Sequence, residues 1–197
     1  MGRKSLKDAR RKEIIRAFYK VAKKEGLENA SLAKVARLMD IHPSLIIHYF
    51  RSKEDLIFGL IEYILERYKL IYKAENSTLD TKERLVKIVG NLFSRKWNTL
   101  FDDGVFYSCY ALIFRDKKVQ AHYKTLHDSL RELFSSTLKE AKQEGLVNVQ
   151  DVEATSDLIF IMVEGAYYYL GLINDKNEYQ GKLKQYEQEA LRLLGLN

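Results

Sequence analysis

Residues 31–56 read SLAKVARLMDIHPSLIIHYFRSKEDL, and their spacing predicts a short helix, a tight turn, a second short helix and the start of a third. Ser31 is a natural N-cap, and Leu32, Val35, Ala36 and Met39 follow at i, i+3, i+4 and i+7, one apolar stripe of an amphipathic helix. Asp40 breaks that pattern with a residue that tolerates turn geometry. Pro43, the only proline, falls in the first turn of a new helix, where a missing N–H costs nothing. Ile46 and Phe50, four apart, share one face and lock this second helix onto its predecessor. Ser44 and His48 fall opposite, flanked by Leu45 and Tyr49 on one side and by Pro43 and Ile47 on the other. So short a helix with so many outward groups builds little core. It is suited to presenting side chains to something. Ser52-Lys53-Glu54-Asp55 then gives a second capping pattern, S-x-x-D, which opens a longer helix.

That is a helix-turn-helix, and its residues resemble a named family. KVARLMDIHPSLIIHYFRSKEDL is similar to the DNA-binding motif of the TetR family of bacterial regulators, whose usual form is close to "IA…GVS…LY.HF.SKE.L". Val35-Ala36, Ile41, Ile46, His48-Tyr49-Phe50 and Ser52-Lys53-Glu54 match it in order and spacing, over about a quarter of the chain. Two positions depart from it. Asp40 stands where a turn glycine is usual, and Asp tolerates the left-handed conformation. Ile47 stands where tyrosine is common, which replaces a polar contact with a methyl contact to thymine.

Composition agrees with a helical regulator. One proline and ten glycines in 197 residues, with no Gly/Pro-rich stretch, favour a mostly helical chain without a flexible linker. The single cysteine, Cys109, excludes an intrachain disulfide and fits a reducing compartment. No apolar run follows Met1, and the most apolar stretch, Leu158 to Ile173, is interrupted by Glu164, so a cytoplasmic, soluble protein is expected. The net charge of +6 is unevenly placed: residues 1–56 carry +7 and the remainder −1. Arg3, Lys4, Lys7, Arg10, Arg11, Lys12 and Arg16 crowd the first turns, a basic arm expected to reach DNA phosphates or the adjacent minor groove.

Outward from the motif the pattern stays helical. A first helix from about Lys7 to Glu25 carries the stripe Ile14, Ala17, Phe18, Val21 and Ala22, with Gly26 as its stop. The helix opened at Ser52 runs to about Tyr72 and connects two domains, residues 1–56 and 57–197. The polar stretch 75–81, ENSTLDT, leads to helices from about Lys82 to Phe101, over Val105 to Phe114, from there to about Glu144, from Asp151 through Ile173, and from Asn177 to Leu194. The expected fold is all-α, about nine helices: a three-helix DNA-binding head and a helical effector-binding and dimerisation domain.

Enzyme motifs are absent, with no Gly-rich phosphate loop, HExxH, CxxC or GxSxG, so neither an enzyme nor a cofactor or metal is expected. His122 and His127, five apart, lie about 140° apart around a helix and suit no shared metal. The helix from Asp151 to Ile173 is apolar on all sides and must be covered on all sides, and Gly165, Ala166 and Gly171 would admit a close backbone. Self-association shared with the final helix follows, giving a two-fold dimer. The resemblance also implies a dimer through the last two helices. Aromatics concentrate in the same domain, and Trp97, Tyr107, Tyr110, Phe114, Tyr123 and Tyr168 are expected, with Glu164, to line a ligand pocket. Cys109 reads as a small buried hydrophobe.

The resemblance implies a ligand-responsive regulator, usually a repressor, binding a pseudo-palindromic double-stranded operator as a homodimer. His42, Pro43, Ser44, Leu45, Ile47 and His48 are the expected base-reading residues, and Ser31, Tyr49 and Lys53 the expected phosphate contacts. The effector would be a small apolar or aromatic molecule. The alternatives are the same fold controlled by a protein partner, and a helical protein or enzyme that does not bind DNA.

Overall fold

The computed structural model describes residues 3–72, 79–94 and 102–196, with side chains described from residue 6 and not over 68–72. Among these residues the regular structure is helical, and there are no strands. The helices are α1 (Arg3–Glu25), α2 (Leu32–Met39), α3 (Pro43–Tyr49), α4 (Lys53–Tyr72), α5 (Thr81–Leu92), α6 (Asp103–Tyr110), α7 (Lys117–Gln143), α8 (Val152–Leu170) and α9 (Lys176–Leu193), with a 3-10 turn over Ala111–Phe114. Trp97 and Phe101 lie outside the described residues. The chain divides into two compact units, residues 1–67 with 100–123 and residues 68–99 with 124–197.

The first unit is built on α1. Ile14, Phe18, Val21 and Ala22 are buried, as their spacing predicts, against a core that includes Val35, Ile46, Phe50, Leu56, Leu60 and Ile64. The closest approach is at Gly59: a β-carbon there would stand 2.7 Å from Ile15 Cδ1 and 3.1 Å from Phe50 Cε1. A side chain at this position would have to displace Ile15 and press on the Phe50 ring. The expected basic arm is helical, because α1 already begins at Arg3. This unit also takes in α6, since the Asp102 amide donates to the Tyr19 hydroxyl at 2.7 Å and Lys23 lies 3.7 Å from Asp102. Burial raises the Tyr19 phenol above its ordinary pKa, and burial followed by neighbouring Asp102 raises the Asp103 carboxyl.

The second unit packs α5, α8, α9 and the greater part of α7 around Leu85, Val89, Leu92, Leu130, Phe134, Leu138, Ile159 and Phe160, all buried. Asp80 opens α5 with a capping box, accepting from the Glu83 amide at 2.7 Å while Glu83 accepts from the Asp80 amide at 3.2 Å. The buried Ser135 hydroxyl bonds to Ser156 at 2.9 Å, and the Tyr167 hydroxyl donates to the carbonyls of Leu92 and Ser94 at 2.9 and 3.0 Å. Tyr167 therefore ties α8 to the end of α5.

On α8 the structure corrects the placement of Ala166. Among the described residues only one side of α8 is covered within its unit: Ile159, Phe160, Val163, Ala166 and Leu170 face inward. Leu158, Ile161, Tyr168 and Leu172 are 51–68% exposed, and a β-carbon at Gly165 would meet nothing within 4 Å. Ala166, expected beside Gly165 at a mating face, is buried inside its own unit. The outward side of α9 is mostly polar, with Leu193 the exposed large hydrophobe on that helix.

A candidate nucleic-acid interface on the third helix

The turn before α3 is set by local chemistry. The Ser31 hydroxyl accepts from the Lys34 amide at 3.3 Å and starts α2. Asp40 ends it at φ +52°, the left-handed conformation its side chain tolerates, and the Ile41 amide closes back on the Ala36 carbonyl at 3.1 Å. Pro43 then occupies the first turn of α3. His42 is its N-cap, with Nδ1 accepting from the Ser44 amide at 3.3 Å and lying 2.8 Å from Ser44 Oγ. An imidazole that accepts at Nδ1 carries its neutral-form proton on Nε2, which leaves a donor on the outer edge of the ring.

The far end of α3 is fixed by a residue that sequence reasoning placed only in the basic arm. Arg11 donates to the Tyr49 carbonyl at 2.7 Å, and its guanidinium lies 4.2 Å from the Phe50 ring centre. It joins α1 to the C-terminal end of α3 by a charged hydrogen bond and a cation–π contact. No sequence motif announces that role; only three-dimensional proximity does. Ile46 and Phe50 are buried beneath, 0% and 1% exposed. His42, Pro43, Ser44, Leu45, Ile47 and His48 are all exposed, and Tyr49 is half-buried against His48, edge to face. The expected base-reading residues thus share one open surface on a rigidly seated helix.

The expected phosphate contacts differ in setting. Ser31 is half-buried and its hydroxyl is engaged as a cap. The Lys53 ammonium, at the first residue of α4, donates to the Glu28 carbonyl at 2.6 Å. Ser52 accepts from the Asp55 amide at 3.2 Å, and Asp55 accepts from the Arg51 amide at 2.9 Å, so the S-x-x-D cap is made.

The expected ligand-lining residues do not form one group. Tyr110 contacts Phe114 and Tyr123 edge to face, at 6.5 and 5.4 Å between ring centres, and Phe106 packs on Tyr107, all within the first unit. Glu164 and Tyr168 belong to the second unit, and Trp97 is outside the described residues. Glu164 Oε1 lies 3.9 Å from His127 Nδ1, and loss of solvation pushes its carboxyl up to about 7, against a smaller opposing pull from Arg131. The His127 ring is held below its ordinary pKa by burial and then by Arg131. Both members of this contact are thus driven toward neutrality. The side chain of Glu164 is nevertheless 46% open, so water moderates that shift. Cys109 is fully buried and its thiol is pushed up to about 12, an inert hydrophobe.

Residues 14–60 match the family profile described as "Bacterial regulatory proteins, tetR family", and residues 80–196 match "Tetracyclin repressor-like, C-terminal domain". The chain is 29% identical over 91 residues to the HTH-type transcriptional regulator BetI of Pseudomonas fluorescens, covering 45% of this chain and 46% of that protein. It is 26% identical over 168 residues to the nucleoid occlusion factor SlmA of Aliivibrio fischeri, covering 82% and 83% respectively. Among solved structures, a TetR transcription regulator from Haloarcula marismortui superposes with a TM-score of 0.81 at 16% identity, covering 95% of this chain and 97% of that one. A regulator from Saccharomonospora viridis in complex with choline gives 0.77 at 16% identity, covering 94% and 96%. No helix among the described residues is long and apolar enough to cross a membrane.

Proposed function

This chain belongs to the TetR family of DNA-binding transcriptional regulators, and from that membership we propose that it is a homodimeric repressor released from its operator by a small molecule. Residues 1–56 are the reading head and α3 enters the major groove, one copy per half-site of a pseudo-palindrome. The observation that carries this reading is the exposed row from His42 to His48 on a helix pinned at both ends, by His42 at its start and Arg11 at its finish. His42 Nε2–H and Ser44 Oγ supply polar contacts to base edges, and Leu45 and Ile47 offer apolar contact to thymine methyls. Lys53, Tyr49 and Ser31 meet phosphates. The partner subunit is met through the open side of α8 with α9, since an apolar stripe of this kind marks an interface. The effector binds in the helical region beyond residue 56. The choline complex of the Saccharomonospora viridis regulator supports small-molecule binding by a chain of this fold.

The test is selection of bound sequences from a random duplex pool, followed by titration of the winner against candidate effectors. Enrichment of a two-fold site with half-sites about one helical turn apart is expected. Failure to enrich any sequence would overturn the regulator reading. One observation favours a second reading, in which a protein partner replaces the small molecule: the SlmA relative aligns over 82% of this chain and is named for nucleoid occlusion. Operator binding that no small molecule alters would favour it.

A further inference from the structure

We propose that the DNA-binding unit carries a ligand site of its own, for a small amphipathic anion: a carboxylate on an alkyl or aryl body. The site is a cavity of 540 Å³ lying wholly within the first unit, between the α1–α2 connection, the first turn of α4 and the 3-10 turn after α6. Its volume falls within the range of about 300–1,000 Å³ typical of small-molecule pockets.

Leu27, Ile57, Leu112 and Phe114 supply apolar wall, and Lys53 and Arg115 supply charge. Phe114 is 81% exposed, a phenyl ring left in water at the lip. Neither cation has an ion-pair partner among the described residues. Lys53 donates only to the neutral Glu28 carbonyl, and the Arg115 guanidinium has no described hydrogen bond. Glu28 also lines the cavity, but its carboxylate is turned back over Gly26. Glu54 beside Lys53 offsets part of its charge, but two cations without a salt-bridge partner among the described residues, set beside apolar wall, select the ligand class by elimination. A cationic ligand meets like charge, and a neutral apolar one would desolvate Lys53 and Arg115 with nothing in return. A carboxylate satisfies the guanidinium fork and the ammonium, and its organic body covers Phe114.

Occupancy of this site opposes DNA binding. Lys53 is the first residue of α4, four residues after the end of α3, and an anion that holds its ammonium withdraws it from a phosphate. Linkage makes the antagonism mutual. This antagonism rests on the assignment of Lys53 as a phosphate contact; the binding itself does not.

The experiment is calorimetric titration of the full-length chain, without DNA, with octanoate, octanol and octyltrimethylammonium. Octanoate should bind one per chain, octanol about tenfold more weakly, and the cation not at all. Arg115→Gln should weaken octanoate about tenfold, and Phe114→Ala about fivefold. Both side chains are exposed, so melting temperatures should match the wild type. Octanol binding as tightly as octanoate, or Arg115→Gln binding octanoate undiminished, would overturn the site. So would an acidic peptide that binds where octanoate does not. Repeating the octanoate titration with a duplex of arbitrary sequence at low salt separates the two claims. Weakened octanoate binding supports the antagonism, whereas unchanged binding removes the Lys53 phosphate assignment and leaves the site standing.

Discussion

His42 does two jobs with the two nitrogens of one ring. Its Nδ1 caps α3 by accepting from the Ser44 amide, and its Nε2 is left to face outward. The jobs can be separated, because Asn caps helices well but cannot place a donor where Nε2 stands. His42→Asn should melt like the wild type and lose discrimination between operator variants. His42→Ala should also lose about 1 kcal/mol of stability, the usual worth of an N-cap. Thermal melts and a panel of mutated operators check both, and undiminished discrimination in His42→Asn would remove His42 from the base-reading set. Lys53→Ala should behave differently. A phosphate contact carries no sequence information, so affinity should fall alike for every duplex, with the salt slope reduced by about one per subunit. Glu164 gives a third test at this scale. Its folded pKa of about 7 stands above the unfolded value, so ionising it opposes folding. That penalty is absent below pH 4.5, grows as pH rises toward 7, and is constant above. Glu164→Gln should therefore gain stability over the wild type at pH 8 but not at pH 4, by about 1 kcal/mol once the open side chain is discounted. An equal difference at both pH values would refute it. Ser31, Asp40 and Pro43 were legible because each satisfies a local backbone demand within its own turn. Arg11 was not, because its carbonyl partner lies 38 residues away.

At the scale of elements, periodicity located the helices and found their inward faces where a face is short-range in origin. All of the α1 stripe is buried, and so are Val35, Ala36 and Ile46. On α8 an all-round apolar composition predicts cover on every side, part of it from a second subunit, and within its own unit one side is buried while Leu158, Ile161 and Tyr168 stay exposed. Composition reports what a helix would gain from being covered, whereas coverage within one chain depends on which neighbours the topology supplies. Ala166 and Gly165 are adjacent in sequence and lie on opposite sides of that decision. Gly59 was missed for a related reason, since a glycine inside a helix looks like a weakness until the opposing helix is seen. Adding a methyl there would press within 2.7 Å of Ile15 Cδ1, beside the Phe50 ring. Gly59→Ala should cost about 1–3 kcal/mol by overpacking, far from the gain expected of alanine in an open helix. Denaturant melts decide it. Because Phe50 sits both against Gly59 and under Arg11, the same variant should weaken operator binding more than its lost stability accounts for.

At the scale of the molecule, grouping residues 100–123 with the head was illegible, because α6 is bound there by Tyr19, Lys23 and Asp102, none of which shares a motif. Self-association was legible only as a demand. A chain that leaves Leu158, Ile161, Tyr168 and Leu172 51–68% exposed along α8 and the turn after it has an apolar side without a partner among the described residues. In a two-fold assembly each of these residues is buried twice, and any change there is repeated across the axis. Ile161→Asp should therefore bring two carboxylates together where two isoleucines met, and Gly165→Leu should wedge apart backbones that approach at the glycine. Neither change strains the isolated chain, since Ile161 is 62% exposed and a β-carbon at Gly165 touches nothing within 4 Å. Ala166→Leu is the control: at 6% exposure it should disturb its own unit and lower the melting temperature. Sedimentation should show Ile161→Asp and Gly165→Leu as folded monomers. Their operator affinity should collapse toward that of a single half-site, because a dimer engages both half-sites jointly. If both variants sediment as intact dimers, the subunits meet on another surface, and the open side of α8 must be covered by something else.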